Sequence, residues 1–311
     1  MENLRLAFWK AQKSKADKEE VIRFRENLEN ELLQMREELL EGVFPVGDYS
    51  YFTIHDPKER VICAASFRER VLHHAIMNVC EPVFERYQIY DSYACRKDKG
   101  VDACLERLME MCRCHRWYLK LDIKKYFDSI DHQVLEEMLA RRFKDRRLLL
   151  LFGQIIDSYE VASGKGIPIG NLTSQYFANM YLAAFDHKVK DEWRVPGYVR
   201  YMDDFVLFYS DKTETRQWLD MAEGFLGDKL ALKLNEPQSN STYRGIPALS
   251  YRVYGNCLRL SLKAKRRFKR NMSEALETGD TQRIRPLLAF VDRAAAAGFK
   301  ANVVRRLEKS V

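Results

Sequence analysis

The chain has 311 residues, 46% of them hydrophobic, with only 14 Gly and 8 Pro, which excludes a peptide or minimal zinc module and the collagen-like, linker-like and disordered classes. Lys and Arg number 52 against 45 Asp and Glu, a net charge of +7, which suits a polyanionic partner without requiring one. Seven cysteines, an odd number scattered through apolar or helical stretches, argue against a disulfide framework and for a reducing compartment.

From Asp17 to Glu41 the apolar residues Val21, Phe24, Leu28, Leu32, Met35 and Leu39 recur every three or four positions, predicting one amphipathic helix that stops at Gly42. Residues 66–80 and 101–116 repeat the pattern. Cys112 is in phase there with Val101, Leu105 and Leu108. It therefore reads as packing, because Cys112-Arg-Cys114-His115 has no distant partner pair at zinc-ligand spacing. Trp117 to Ile123 reads as a short buried strand. Asp131 reads as the N-cap of a helix with Leu135, Met138, Leu139 and Phe143 on one face. A long helix begins near Thr173, its Tyr176, Phe177, Met180, Tyr181 and Phe185 forming one stripe. Between Tyr198 and Ser210 two apolar, β-prone runs flank Asp203-Asp204 at the two-residue spacing of a tight hairpin. A helix over 212–229 and strands near 230–235 and 248–260 complete the order, that of an α+β sheet with helices on one face and mostly helical ends. The N-terminus lacks an apolar signal core, and the longest apolar run, around Leu148 to Phe152, is far short of the ~20 residues of a membrane span. A soluble, cytoplasmic protein is expected.

Two features carry chemistry. Arg259, Lys263, Lys265, Arg266, Arg267, Lys269 and Arg270 crowd one segment without an acid among them, the composition of a surface that tracks phosphates through counterion release. The pair Asp203-Asp204 lies between apolar runs, where two like charges repel unless divalent cations neutralise them. Asp122 ends the apolar strand Trp117 to Leu121, and a central sheet can bring that strand end beside the hairpin. Three carboxylates at one sheet edge would hold two hard cations roughly 3.5 to 4 Å apart for phosphoryl transfer.

Tyr201-Met202-Asp203-Asp204 resembles the signature of reverse transcriptases. Leu121-Asp-Ile-Lys-Lys-Tyr-Phe-Asp-Ser-Ile-Asp131 is similar to the first catalytic motif of that superfamily, and Gly166-Ile-Pro-Ile-Gly170 with Asn-Leu-Thr-Ser-Gln175 is similar to the motif between the two carboxylate strands. Most reverse transcriptases carry Gln before the glycine of the middle motif. Here Ile169-Gly170, followed by Asn171, Ser174 and Gln175, resembles the reverse transcriptases of diversity-generating retroelements. Phe67 to His74, Tyr90 to Lys97 and Leu249 to Val253 also look like that family, so the resemblance runs over nearly the whole chain.

The resemblance implies a right-hand polymerase: fingers over 1–97 and 130–172, a palm of antiparallel sheet with helices on one face over 98–129 and 173–255, and a helical thumb over 256–311. It implies an enzyme of a bacterium, archaeon or phage that copies template RNA into cDNA from dNTPs on a primer strand, with substitutions concentrated at template adenines, and a small basic accessory protein as partner. Asp122, Asp203, Asp204 and the Ile123 carbonyl would bind two Mg²⁺, with Mn²⁺ able to substitute. Phe127 would lie beneath the sugar and exclude a 2′-hydroxyl, with Tyr126 as the alternative ring. Arg60, Arg68 and Arg70 would supply basic groups for the triphosphate. Ile169, Gly170 and Gln175 would meet the nucleotide, and Asn171 and Thr173 would cap the following helix. Lys263, Lys265, Arg266, Arg267, Lys269 and Arg270 would bind nucleic acid. Where many relatives carry a Lys pair after Asn235, this chain reads Glu236-Pro-Gln-Ser239, which leaves a lysine proton donor in doubt. Lys233 is expected to point away from the site. Competing readings are a retron-type or phage-defence reverse transcriptase, a nucleotide cyclase, and a binding subunit with a dead palm. Retron-associated motifs are absent, a cyclase would carry a Gly-Gly-acid hairpin, and a dead palm would lack one of the carboxylates.

Overall fold

The computed structural model describes residues 1–55 and 59–308. Helix α1 (Glu2–Ala11) lies on a helical layer whose centre is an aromatic knot: Phe8 stacks on Phe24 at 5.7 Å and meets Phe67 edge-on at 6.0 Å. The single helix expected over 17–41 is two, α2 (Glu19–Glu26) and α3 (Leu28–Glu41). Asn27 between them has φ −116° and ψ 30° and leaves helical geometry, so Val21 and Phe24 on one piece and Leu32 and Met35 on the other all reach the core. Gly42 ends α3 with φ +75°, a left-handed cap that costs glycine least.

Strands β1 (Tyr49–Ile54) and β2 (Arg60–Ala65) form an antiparallel hairpin, Tyr49 facing Ala65, in a stretch whose sequence carries no clear alternation. Helix α4 (Phe67–Tyr87), capped by the Ser66 side chain, runs past the expected end at residue 80 and through Pro82. Tertiary packing holds the extension, because Phe84 sits among Phe143, Phe152 and Phe177 at centroid distances of 5.1, 6.4 and 6.2 Å.

The central sheet follows. Helix α5 (Val101–Cys114) leads into β3 (Trp117–Asp122), then come the one-turn α6 (Tyr126–Ser129), α7 (His132–Arg142), α8 (Arg146–Asp157) and α9 (Leu172–His187). Asp131 caps α7 as expected, accepting from the Val134 N–H at 3.2 Å. The hairpin β4 (Gly197–Tyr201) and β5 (Asp204–Tyr209), helix α10 (Glu214–Leu230) and β6 (Gln238–Ser241) complete a four-stranded antiparallel sheet in the order β4-β5-β3-β6. The strand expected near 230–235 is irregular: Ala231 ends α10 at φ +51°, Leu234 makes one isolated bridge to Ile123, and β6 is the strand that pairs with β3.

Period-2 alternation divides the sheet between two cores. Leu119, Leu121, Phe205 and Leu207 pack with α9 and α10, while Tyr118, Val206 and Phe208 pack with α5 on the opposite face. Cys112 belongs to that second core, a buried, unpaired thiol that packs as read. A small sheet of β7 (Ile246–Ala248), β8 (Tyr251–Val253) and β9 (Leu258–Leu260) continues the second core into the helices α11 (Leu262–Glu277), α12 (Thr281–Asp292) and α13 (Ala297–Glu308). Residues 309–311 of the segment assigned to the thumb lie outside the described residues. No helix among the described residues is long and apolar enough to cross a membrane.

Candidate active site

Register brings the carboxylates together. Asp122, the last residue of β3, pairs directly with Asp204, the first of β5. Cross-strand Cβ atoms lie about 5 Å apart, and like charges directly opposed are destabilising. The hairpin differs from the expected one by a residue: Tyr201 pairs with Asp204, so Met202 and Asp203 form the two-residue loop and Asp204 belongs to the strand. Met202 takes φ +55°, the positive φ that the twist of a two-residue hairpin demands at its first loop position. The Asp203 carbonyl accepts the Ile123 N–H at 3.3 Å, tying the loop to the end of β3.

Lys120 and Asn235 complete the cluster, and sequence reasoning assigned neither. The Lys120 ammonium, two residues before Asp122 on the same face of β3, lies 2.8 Å from Asp204 Oδ1. Burial pushes the Asp204 carboxyl up to about 6, against the pull of Lys120 and with the push of Asp122 and Asp203. Asn235 donates Nδ2–H to Asp122 Oδ2 at 2.5 Å and its backbone N–H to the Asp122 carbonyl at 2.8 Å. The i, i+2 spacing of Lys120 and Asp122 on a strand was the available signal for the lysine. Nothing in the sequence marks Asn235, which arrives through the irregular return after α10. Lys233 is solvent-exposed, and its carbonyl accepts the Lys124 N–H at 2.8 Å.

The middle motif sits against the β1–β2 hairpin. The Cys63 N–H of β2 donates to the Ile169 carbonyl at 2.8 Å, the Ile167 N–H to the Phe127 carbonyl at 3.0 Å, and the Gly166 N–H to the Ile130 carbonyl at 2.8 Å. Phe127, Ile169, Gly170 and the strand bearing Arg60 therefore share one neighbourhood, with Arg60 exposed at the start of β2. Tyr126, the alternative ring to Phe127, is buried and bonded through its hydroxyl to the Ala178 carbonyl at 2.5 Å, so it is core. Gln175 is half-buried in the first turn of α9.

Other expectations are displaced. Arg68 is paired to Glu38 at 2.7 Å and Glu31 at 3.5 Å and lies 5.0 Å over the Phe44 ring. Arg70 is paired to Glu20 and lies 5.4 Å over Phe67. Both guanidiniums are engaged by carboxylates of α2 and α3. Asn171 stands at the N-cap position of α9 without a side-chain cap bond, and Thr173 instead bonds the buried His73 Nδ1 at 2.9 Å. Capping is therefore the task of neither side chain. In α11, capped by Ser261, the residues Ala264, Phe268, Met272 and Ala275 face the core. Lys263, Arg266, Lys269 and Arg270 lie exposed, while Lys265 and Arg267 are half-buried, with Arg267 5.6 Å over Phe290.

The arrangement agrees with comparisons to known proteins. Residues 55–275 match the family described as reverse transcriptase (RNA-dependent DNA polymerase). The chain is 25% identical over 250 residues to Protein YkfC of Escherichia coli (strain K12), covering 66% of each protein. It is 20% identical over 291 residues to the group II intron-encoded protein LtrA of Lactococcus lactis subsp. cremoris, covering 71% of this chain and 49% of that protein. It thus spans about half to two thirds of the length of these curated relatives. Among solved structures, telomerase from Candida albicans in complex with a fragment of telomeric RNA superposes with a TM-score of 0.51 at 14% identity, over 84% of this chain and 56% of that one. Apo telomerase from Candida tropicalis gives 0.52 at 12% identity, over 76% and 53%. At such identities the likeness concerns the fold, that of a right-hand polymerase with its sheet and helices. Sequence motifs, sheet register and family match lead to one conclusion: the chain belongs to the reverse transcriptase (RNA-dependent DNA polymerase) family.

Proposed function

We propose that this chain is an RNA-directed DNA polymerase that copies a template RNA into error-prone, adenine-mutagenised cDNA, the task of a diversity-generating retroelement. The observation that carries the polymerase reading is the direct pairing of Asp122 with Asp204, with Asp203 on the adjoining loop. What supports the retroelement reading is Ile169 before Gly170, where most reverse transcriptases carry Gln, together with a resemblance that extends beyond the catalytic motifs. A small basic accessory protein belongs to the same reading. The working division is fingers over 1–97 and 130–172, palm over 98–129 and 173–255, and thumb from 256.

The donor set fits hard divalent cations. Asp122, Asp203, Asp204 and the Ile123 carbonyl would hold two Mg²⁺, with Mn²⁺ able to substitute; the charge of the opposed pair Asp122 and Asp204 is offset in part by Lys120, while Asn235 donates a hydrogen bond to Asp122. Held by these residues, divalent cations would supply the positive charge that favours deprotonation of a primer 3′-hydroxyl and departure of pyrophosphate. The chain's own residues set the rest. Lys120 keeps Asp204 compensated, and Asn235 orients the Asp122 carboxylate. Phe127 limits the space beneath the sugar, Ile169 and Gly170 line the nucleotide with backbone and an aliphatic side chain that donates no hydrogen bond, and Gln175 flanks them. Of Arg60, Arg68 and Arg70, Arg60 is the exposed one and is the candidate for a triphosphate. Lys263, Lys265, Arg266, Arg267, Lys269 and Arg270 offer the template-primer duplex a basic helix face.

Primer extension on a defined RNA template tests this. Mg²⁺-dependent DNA synthesis is expected, lost in Asp203→Ala and in Asp204→Ala with circular dichroism unchanged. Extension at a comparable rate in either variant would overturn the catalytic assignment.

A further inference from the structure

Arg200 takes no part in the chemistry of the carboxylates, yet among the described residues it is the largest fully buried side chain, with an exposure of 0%. It stands on β4, immediately before the Tyr201–Asp204 hairpin, and its partner Asp186 on α9 is equally buried. A charged pair removed from water is costly unless each polar edge is bonded, and it is weak evidence for stability because hydrophobic side chains of similar volume often serve as well. Its occurrence beside the hairpin calls for another role.

The bonding supplies one. Nε donates to Asp186 Oδ1 and Oδ2 at 2.8 and 2.9 Å, and Nη2 donates to Asp186 Oδ2 at 2.7 Å and to Gln88 Oε1 at 3.2 Å. The Tyr198 hydroxyl donates to Asp186 Oδ1 at 2.7 Å. That edge alone satisfies the ion pair. Nη1 points the other way, donating to Asn179 Oδ1 and to the Met202 carbonyl, each at 3.0 Å. The Met202 carbonyl belongs to the peptide that leads into Asp203, and it follows the left-handed φ of +55° that a methionine adopts only under constraint. The Arg200 backbone is itself anchored, its N–H to the Asp91 carbonyl and its carbonyl to the Tyr93 N–H, both at 2.9 Å.

We infer that Arg200 is a positioning residue for the carboxylate hairpin: its guanidinium, braced by Asp186 and Asn179 of α9, holds the Met202–Asp203 peptide in the orientation that presents Asp203 and Asp204. The inference rests on the reading of those aspartates as metal ligands. The planar fork matters. A lysine ammonium keeps the charge but cannot serve Asp186, Asn179 and the Met202 carbonyl in one plane.

Two variants test this, Arg200→Lys and the combination of Arg200→Met with Asp186→Asn, which leaves no lone buried charge if the lysine protein fails to fold. Amide hydrogen exchange in the 201–205 segment is expected to rise about tenfold, with the interior of β3 and with α11 unchanged. Template-primer binding should stay within twofold. kcat should fall at least tenfold, and the Mg²⁺ concentration for half-maximal extension should rise severalfold. Hairpin exchange and Mg²⁺ dependence at wild-type values would overturn the inference, as would exchange rising uniformly through β3, β4 and β5, which marks a merely structural residue. Asp203→Ala, run alongside, keeps the two readings apart. If that protein still extends primers, the metal-ligand assignment fails, while the exchange measurement still decides whether Arg200 holds the loop.

Discussion

Gly170→Ala isolates the contact between the middle motif and the β1–β2 hairpin. Gly170 has φ +121°, a conformation that side-chain-bearing residues rarely adopt, and a Cβ there would meet Ile62 Cγ2 at 2.9 Å and the Cys63 carbonyl oxygen at 3.1 Å. The backbone strain is worth about 1–3 kcal/mol. Displacing β2 to relieve the clash also weakens the bond from the Cys63 N–H to the Ile169 carbonyl, 2.8 Å long, at a cost of about 1 kcal/mol. Restricting the unfolded chain returns less than about 1 kcal/mol. A net destabilisation of about 2–3 kcal/mol is expected in urea unfolding, together with a raised KM for dNTP, because Ile169 and the strand bearing Arg60 shift together. Gly164→Ala is the control: φ is +66° with nothing within 4 Å of the added carbon, so only the left-handed cost of about 1 kcal/mol applies. Equal effects of the two substitutions, or a Gly170→Ala protein within about 0.5 kcal/mol of wild type, would refute the reasoning.

Three further outcomes follow from the site. Burial lifts the Asp204 carboxyl from its ordinary 3.8 to about 6, so the folded state holds that proton more tightly than the unfolded chain does. Its stabilising contribution is complete below pH 3.8 and lost as pH rises through 6. Without divalent cations, Asp204→Asn is therefore expected to be more stable than wild type above pH 7 by about 2 kcal/mol, a value reduced for the part of the side chain in water, and equal to it near pH 3.5; a pH-independent difference would remove this basis. Replacing Lys265, Arg266, Lys269 and Arg270 together by Gln should weaken template-primer binding and flatten the slope of log K against log salt, by close to one unit for each phosphate that is no longer neutralised. An unchanged slope would return α11 to a solvated face. Ile169→Gln should lower misincorporation opposite template adenine, where about 1.4 kcal/mol of added discrimination is a tenfold change in error ratio. Sequencing cDNA from a defined template reads this directly, and errors spread evenly over the four template bases would contradict the mutagenic reading.

Local periodicity was enough to place α5, α7, α9, α10 and the β3 strand, because each buries a continuous apolar stripe set by its own side chains. The Asp131 cap and the Gly42 stop were equally local. The carboxylates proposed for catalysis were legible from motif and order, and the pairing of Asp122 with Asp204 at the ends of the two inner strands agrees with Asp122 ending an apolar strand. Only tertiary structure decided the rest. The break at Asn27 and the run of α4 through Pro82 depend on which core each stripe must reach. The pairing of β6 instead of residues 230–235 depends on where α10 ends. Arg68 and Arg70 carry the right charge for a triphosphate, but α2 and α3, distant in sequence, bring the carboxylates that engage them. The same holds for Lys120, Asn235 and Arg200: their chemistry is ordinary in the sequence, and it becomes specific when register and helix packing set them against Asp204, Asp122 and the Met202 carbonyl. Apolar patterning is encoded residue by residue, whereas the partner of a polar group is a property of the folded chain.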